Sequence, residues 1–433
     1  HETEKSTGNG RPSDGQRSPG RASRARDRSD DAQDLWQEVS AAALVAGTAI
    51  GGGFLALPYT TAPAGAAPSA ALLACSWAFL LAQALVVADL VVDASEEQGS
   101  PTGVLGVARS TLGGPGAAFV SVAFLSLMMC TLVSQFSKAG ALLAPALHLQ
   151  YAAGCVGAAA VLGAFEAASP AWLVASANAA LTACFVAAAA GLFAGGAPLA
   201  DWGRLARADW GAAPAALPSV LQLLVFAEVV PAVCSLLAFR PSRIRRALVA
   251  GSALLLAVQL GWSCLGIGLA PFAGHALRRD PLDALPRAGL GPAALPALGA
   301  CAISTTVVGT SIALRSFFAD AQGGREAGSP RASRAVLLFL AVASCIAATS
   351  PEAFFGAIDL AGAYPVVLLW GVAPPVMRLV QGGARRGRPR SASCFQGGRR
   401  GLQALAAASG ALVLFNVSTD LASLLTGGAA RWQ

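Results

Sequence analysis

Gly47-Thr48-Ala49-Ile50-Gly51-Gly52-Gly53-Phe54-Leu55-Ala56-Leu57-Pro58 is the stretch whose reading decides the fold. It lies inside an apolar run over residues 35–62, longer than the roughly 20 residues with which a helix crosses a bilayer. Each glycine in a helix interior costs on the order of 1 kcal/mol against alanine, and here three stand in succession with a proline behind them. An unpaired backbone amide is expensive in hydrocarbon, so a broken span survives only where other protein or a water-filled cavity supplies partners. The stretch therefore reads as a first transmembrane helix unwound at Gly51 to Gly53 and facing a binding cavity, the device by which many secondary transporters hold substrate. Two other readings stand beside it. Gly47-x-x-x-Gly51 is a small-xxx-small pattern that can serve helix packing alone. A glycine loop can also cradle phosphate, but that needs a preceding strand and a nucleotide-binding fold, which the surrounding sequence does not offer.

Working outward, the chain has 433 residues, 55% hydrophobic and only 12% charged, about half the charge of a soluble chain. It is an integral membrane protein by composition, all-α, with the lipid bilayer as its partner. Eleven apolar spans follow one another, at residues 35–62, 68–92, 115–145, 150–168, 171–195, 217–239, 247–272, 294–319, 334–350, 354–377 and 401–426. The net charge of +7 does not indicate nucleic acid, because the basic residues fall in short blocks between spans. With the N-terminus inside, twenty-two of the thirty Lys and Arg residues lie in inner segments and six in outer ones, while Lys138 and Arg315 lie within spans. This asymmetry sets the N-terminus on the cytosolic or stromal side and the C-terminus outside. Eight of nine cysteines lie in apolar runs, no C-x-x-C pair occurs, and His1, His148 and His275 are far apart. Neither a disulfide framework, a metal site nor a cofactor is expected. No Ser/His/Asp set or polar carboxylate pair suggests an enzyme.

Residues 1–34 are rich in Arg, Ser, Asp and Gly and read as a disordered tail. Their Arg and Ser content resembles an organelle transit segment, whereas Asp27, Asp30, Asp31 and Asp34 argue against a pure one, and a solvated cytosolic tail is an equal reading. The chain begins at His1 rather than at a methionine, which reads as a fragment or a processed form. The sixth span answers the first. Val225-Phe226-Ala227-Glu228-Val229-Val230-Pro231 places a carboxylate and a proline in mid-span, and a proline removes one backbone hydrogen bond and frees a carbonyl. Two interrupted spans, five helices apart and opposite in direction, are the sequence mark of an inverted-repeat transporter. The expected organisation is a first repeat of spans 1–5 (35–195), an outer loop (196–216), an inverted second repeat of spans 6–10 (217–377), a basic inner loop (378–400), and span 11 with the C-terminus (401–433).

The span 1 stretch resembles the G-T-x-I-G-x-G-x-L-x-x-P signature of the tryptophan/tyrosine permease family of aromatic amino-acid transporters. Thr306-Val307-Val308-Gly309 through Phe318-Ala319-Asp320 is similar to the family's span 8, and Ala357-Ile358-Asp359-Leu360-Ala361-Gly362 to the Ala-Gly step of its span 10. Glu228-x-x-Pro231 resembles the polar residue before proline in the plant-type branch. The resemblance covers residues 36–426. It implies a five-plus-five inverted repeat of the leucine-transporter type with discontinuous helices 1 and 6, an added eleventh helix, and proton symport of tyrosine or tryptophan. It further implies a substrate carboxylate on the amides of Gly51, Gly52 and Gly53, next to Thr48. The ammonium would lie on carbonyls near Phe226 and Glu228, and the ring among Phe54, Phe226, Met128 and Met129. Plant-type relatives point to a plastid inner envelope, with a plasma or other organelle membrane as the alternative. The chain departs from the family in having Ala227 where a histidine is common and Ser316, beside Arg315, where an acid is usual. A broader neutral amino-acid carrier, a sodium-coupled carrier, or a non-transporting scaffold or sensor are the other readings.

Among single residues, Glu228 is the first candidate for the coupling proton, because an ionisable group at mid-membrane is costly and functional by default. A permanently neutral or paired structural acid is the alternative. Lys138 reads either as a charge partner of Glu228 or as a side chain snorkelling to the interface. Ser304, Thr305 and Thr306 read as a sodium-type site or as hydroxyls bonded to their own helix. Arg315 is expected to pair with Asp320 or a lipid phosphate, and Asp359 to sit at a hydrated mouth.

Overall fold

The computed structural model describes residues 33–47, 51–98, 103–273, 276–277, 280–283, 285, 294–321, 330–382 and 393–425. The tail over residues 1–32, Thr48, most of the basic loop and the last eight residues lie outside them. Ten helices in this range are long and apolar enough to cross a membrane, and a bent pair, Gln33–Gly47 with Gly52–Thr61, makes an eleventh span. The others, in order, are span 2 (Ala66–Glu97), 3 (Val104–Leu147), 4 (Tyr151–Ala168), 5 (Ser176–Leu199), 6 (Ala213–Leu236), 7 (Pro241–Leu269), 8 (Ala294–Ala321), 9 (Pro330–Ala347), 10 (Ala353–Gln381) and 11 (Gly398–Leu425). The protein is thus an all-helical five-plus-five membrane fold with an added span, its broken spans being the first and the sixth. Outside the spans, one antiparallel pair of two-residue strands joins Phe272–Ala273 to Ala276–Leu277.

Boundaries follow local chemistry. Spans 4 and 5 part at Ser169 and Pro170, both extended, because a proline disfavours helical backbone in the residue before it. Span 3 begins earlier than its apolar run. A segment from Val104 precedes Gly113, whose φ of 70° and ψ of −160° interrupt the helix; only glycine adopts that conformation without strain. The helix of span 1 starts at Gln33, inside the stretch expected to be disordered, because Asp34 and Glu38 have partners on span 7.

Span 7 is a continuous rod against which both halves of span 1 lie. A Cβ built on Gly251 would overlap the Ala42 carbonyl oxygen and approach Val45 Cβ to 2.8 Å, and one on Gly266 would overlap Pro58. Two glycine notches on one helix therefore seat the two halves of another, since missing side chains let backbones approach closely. Charge is sorted to the face at which span 1 begins. There Arg243, its side chain 7% exposed, meets Asp34 at 2.8 Å and Glu38 at 3.0 Å, and Arg246 meets Glu38 at 2.6 Å. Arg378 of span 10 pairs with Asp93 of span 2. Asp89 accepts from the amides of Cys394 and Phe395, at 2.6 Å and 3.1 Å, ahead of span 11. At the opposite face the Tyr151 hydroxyl bonds Ser137 at 2.8 Å and donates toward Ser350 O at 3.0 Å, which joins spans 3 and 4 to the turn before span 10.

Span 10 carries a π-helical turn, Val367–Val372, and Gln83 of span 2 donates to the Gly371 carbonyl at 2.9 Å. A Cβ on Gly309 of span 8 would meet nothing within 4 Å, in contrast to the two notches. Gly266→Ala is accordingly expected to lower the unfolding temperature of the detergent-solubilised protein, by the about 1–3 kcal/mol typical of overpacking. Gly309→Ala should leave it unchanged. Equal midpoints for the two variants would remove the notch from the account.

Candidate substrate site

The two breaks are built alike. In span 1, Gly51 is extended at φ −118° and ψ −163°, a 3-10 segment runs from Gly52 to Ala56, and an α-helix resumes at Leu57 with Pro58 in its first turn. In span 6, the first half ends at Leu224, and Val225 is extended at φ −71° and ψ 132°. Phe226 stands at φ −143° and ψ 6°, Ala227–Val229 form a 3-10 turn, and Val230–Leu236 resume with Pro231 in the first turn. Neither proline stands at the break itself. Each opens the second half-helix, where its missing N–H would have had no partner in any case. This corrects the expectation that Pro231 itself frees the carbonyl; the unwinding lies five to six residues upstream.

The breaks meet. A Cβ on Gly53 would overlap Leu223 Cδ2, just before the span 6 break, one on Gly52 would overlap Gln135 Oε1 of span 3, and one on Gly51 Thr306 Oγ1 of span 8. All three glycines are thus contact points with three different spans, beyond the helix packing that Gly47-x-x-x-Gly51 alone would give. Backbone groups released by unwinding find side-chain partners. Gly52 N–H donates to Thr306 Oγ1 at 3.2 Å. Gln259 Nε2 donates to the Leu223 carbonyl at 3.1 Å, and Trp262 Nε1 gives a second bond, at 3.0 Å, to the Phe54 carbonyl, which also accepts from the Leu57 amide. Gln259 and Trp262 stand one turn apart on span 7, so one face of that rod serves a carbonyl from each break. Sequence reading passed over both. The signal was present: a glutamine and a tryptophan three residues apart in an otherwise aliphatic run.

The predicted site residues distribute around this junction. The Phe54 ring stacks on Trp262 at 4.6 Å between centroids and meets Phe185 edge-on at 5.6 Å. Phe226 and Met128 are buried and Met129 half-buried beside the same core. Glu228 is half-buried in the first turn after the span 6 break, and among the described residues it has no hydrogen-bond or ion-pair partner. Lys138 lies with its ammonium 4.9 Å from the centroid of the Phe354 ring, at the start of span 10. Thr305 and Thr306 both donate to the Ala302 carbonyl, at 3.0 Å and 2.8 Å, while Ser304 is half-buried beside them. Thr306 therefore serves as a backbone-bonding hydroxyl and as an acceptor for the broken span at once.

One expectation is corrected. Arg315 meets Glu166 of span 4 rather than Asp320, its Nη2 lying 3.3 Å from Glu166 Oε2. Glu166 is 3% exposed, and a buried acid needs a compensating cation more than a surface one does. Asp359, expected at a hydrated mouth, is half-buried and accepts a hydrogen bond from the buried Ser219 of span 6. No group of three or more His, Cys, Asp or Glu placed to hold a metal occurs among the described residues.

An all-helical membrane fold whose two broken spans meet at mid-span is that of a membrane transporter. The chain matches the model of the Tryptophan/tyrosine permease family over residues 37–415, and it belongs to that family. Comparison with curated protein sequences returns no match. Among solved structures, a manganese transporter of Eremococcus coleocola in complex with an aromatic bis-isothiourea substituted compound aligns at 13% identity. The alignment covers 88% of this chain and 94% of that one, with a TM-score of 0.41. A mutant of the same transporter aligns at 12% identity over 87% and 93%, with a TM-score of 0.40. Likeness at that level is too slight to bear on the assignment.

Replacing Thr306 by Val leaves the Gly52 amide without its acceptor, which costs about 1–3 kcal/mol for a buried donor. The expected outcome is a clear drop in unfolding temperature for Thr306→Val and near-wild-type behaviour for Thr306→Ser, which keeps the hydroxyl. A drop of equal size in both would point to packing rather than to the hydrogen bond.

Proposed function

We propose that the protein is a secondary active transporter that carries tyrosine or tryptophan with protons by alternating access. The observation that supports this most is the meeting of the two breaks with Glu228 beside them, an acid without a partner among the described residues, in the first turn of the resumed span 6. The amides of Gly51, Gly52 and Gly53 would receive the substrate carboxylate, helped by the partial positive charge at the start of a half-helix. The Gly52 amide would exchange Thr306 for that carboxylate. Phe226, Met128 and Met129 would line the ring pocket, with Phe54 fixed behind them by Trp262. Glu228 would take up the coupling proton, as an ionisable group standing in mid-span beside the break.

The contact of Thr306 with Gly51 and Gly52 favours a second reading, in which Ser304, Thr305 and Thr306 hold a sodium ion and coupling lies there. Lys138, placed against Phe354, has a smaller part in either reading. The basic face would be cytosolic or stromal, in keeping with a plastid inner envelope, and the two repeats would span 35–195 and 217–377.

Uptake of labelled tyrosine, tryptophan and leucine into proteoliposomes tests this directly, first with an imposed pH gradient and then with a sodium gradient. Aromatic uptake driven by the pH gradient is expected, with leucine left outside. Glu228→Gln should abolish proton-driven accumulation while exchange of internal for external substrate continues. Uptake driven by sodium alone would move coupling to Ser304, Thr305 and Thr306, and leucine uptake would make the protein a broader neutral carrier. Unchanged accumulation in Glu228→Gln would remove that residue from the mechanism.

A further inference from the structure

We infer that the side-chain carbonyl of Gln135 on span 3 is the acceptor for a primary ammonium group, that of the transported amino acid. This rests on the transporter reading above and names a recognition residue that neither the motifs nor the family match assigns. Gln135 is 3% exposed, and its Oε1 is buried without a hydrogen-bond partner. That oxygen lies directly on the Gly52 α-carbon, as the overlap with a built Cβ shows. A buried acceptor left unsatisfied costs about 1–3 kcal/mol, and a contact to a Cα–H is too weak to offset it.

The orientation of the amide is fixed by its neighbours. Ser134 Oγ donates its proton to the Thr131 carbonyl at 2.7 Å, so toward Gln135 it can only accept, and Gln135 Nε2 donates to it at 3.1 Å. The carbonyl end must then face the break. Three carbonyls beside the breaks already have donors: Phe54 O from the Leu57 amide and Trp262, Leu223 O from Gln259, and Phe226 O from the Val229 amide at 3.2 Å. A second buried amide oxygen, Gln222 Oε1 of span 6, also has no partner, and its Nε2 reaches Thr131 Oγ1 at 3.4 Å.

Span 3 therefore turns an acceptor without a donor toward the glycine break, and span 6 adds another one turn along. Such a lining selects a hydrogen-bond donor carrying positive charge, since charge-assisted bonds are the strong ones. Gln135, Thr131 and Met128 share one face of span 3 at helical spacing, and the stripe from Gln135 to Met128 is about 10 Å long. It can seat an ammonium head at one end and an apolar side chain at the other. A primary ammonium and an alkali metal ion share this acceptor chemistry, and the experiment separates them.

The test is the thermal stabilisation of purified wild-type protein, Gln135→Leu and Gln135→Glu by four separate probes. These are tyramine (amine without carboxylate), 3-(4-hydroxyphenyl)propionate (carboxylate without amine), sodium chloride and choline chloride. Tyramine is expected to stabilise the wild type. Gln135→Leu should raise its half-maximal concentration by about tenfold or more, and Gln135→Glu should lower it by a similar factor. The half-maximal concentration of the propionate should stay the same in wild type and Gln135→Leu. Should Gln135→Leu fail to fold, the tyramine shift in Gln135→Glu decides alone. No stabilisation of the wild type by tyramine, no shift in either variant, or equal shifts for amine and acid would overturn the assignment. Sodium stabilisation that depends on Gln135, without a tyramine effect, would replace the ammonium by an alkali metal ion. If tyramine stabilisation depends on Gln135 but wild-type proteoliposomes take up no tyrosine, the aromatic transport reading falls and this site stands.

Discussion

Backbone groups released in the middle of a membrane must be bonded by the protein itself, because the bilayer core offers nothing else. The arrangement of the inner spans follows from that requirement at two places. Unwinding at Gly51 and at Val225 frees the Gly52 amide and the Leu223 carbonyl, which meet Thr306 and Gln259, while the Phe54 carbonyl, bonded to the Leu57 amide, takes a second bond from Trp262. Span 8 must come close enough for Thr306, and span 7 must present Gln259 and Trp262 on one face. The glycines that open the helix also let these neighbours approach, so the weak point of span 1 is the most closely surrounded part of it.

Charge obeys the same economy. The interhelical ion pairs of Arg243, Arg246, Arg378 and Arg315 with acids of other spans lie toward the ends of their helices on one face. The middle of the bundle is left to neutral dipoles: hydroxyls, amides and an indole N–H. Glu228 stands apart as an acid next to the break. A buried ion pair in the centre would carry a desolvation cost that its attraction need not recover, whereas amide and hydroxyl groups bond at much lower cost. A site lined by neutral dipoles can release its substrate on either side without having to separate opposite charges.

Much of this was legible in the sequence, for identifiable reasons. Spans announce themselves by length and apolarity, and all eleven were located, with the early start of span 3 hidden because Gly103 to Gly114 contains arginine and several small polar residues. The breaks were legible because three glycines in a row, or an acid near a proline, are costly in a membrane helix unless used. Where Pro231 acts was not legible, since a proline can either break a helix or open one, and only the φ and ψ of Val225 and Phe226 decide. Partners of single charges were hidden for a different reason. Arg315 and Asp320 are five residues apart on one helix, yet Arg315 meets Glu166, which is distant along the chain, and no local pattern encodes such a pair. The glutamines at 135 and 259 were visible as polar residues in apolar runs, but what each faces depends on helix rotation.

Span 1 is bent by 51° between its halves, and both halves are fastened to the continuous span 7. Asp34 and Glu38 hold one end through Arg243 and Arg246, and the Gly251 notch seats the middle of that half. Trp262, the Gly266 notch and the 2.8 Å bond from Ser263 to Thr61 hold the other half. A kinked element strapped at both ends to a continuous rod cannot change its angle without sliding along that rod. Span 7 is therefore a splint. The unwound glycine segment is aimed by folding rather than by ligand, so the entropy of ordering it is not charged against binding.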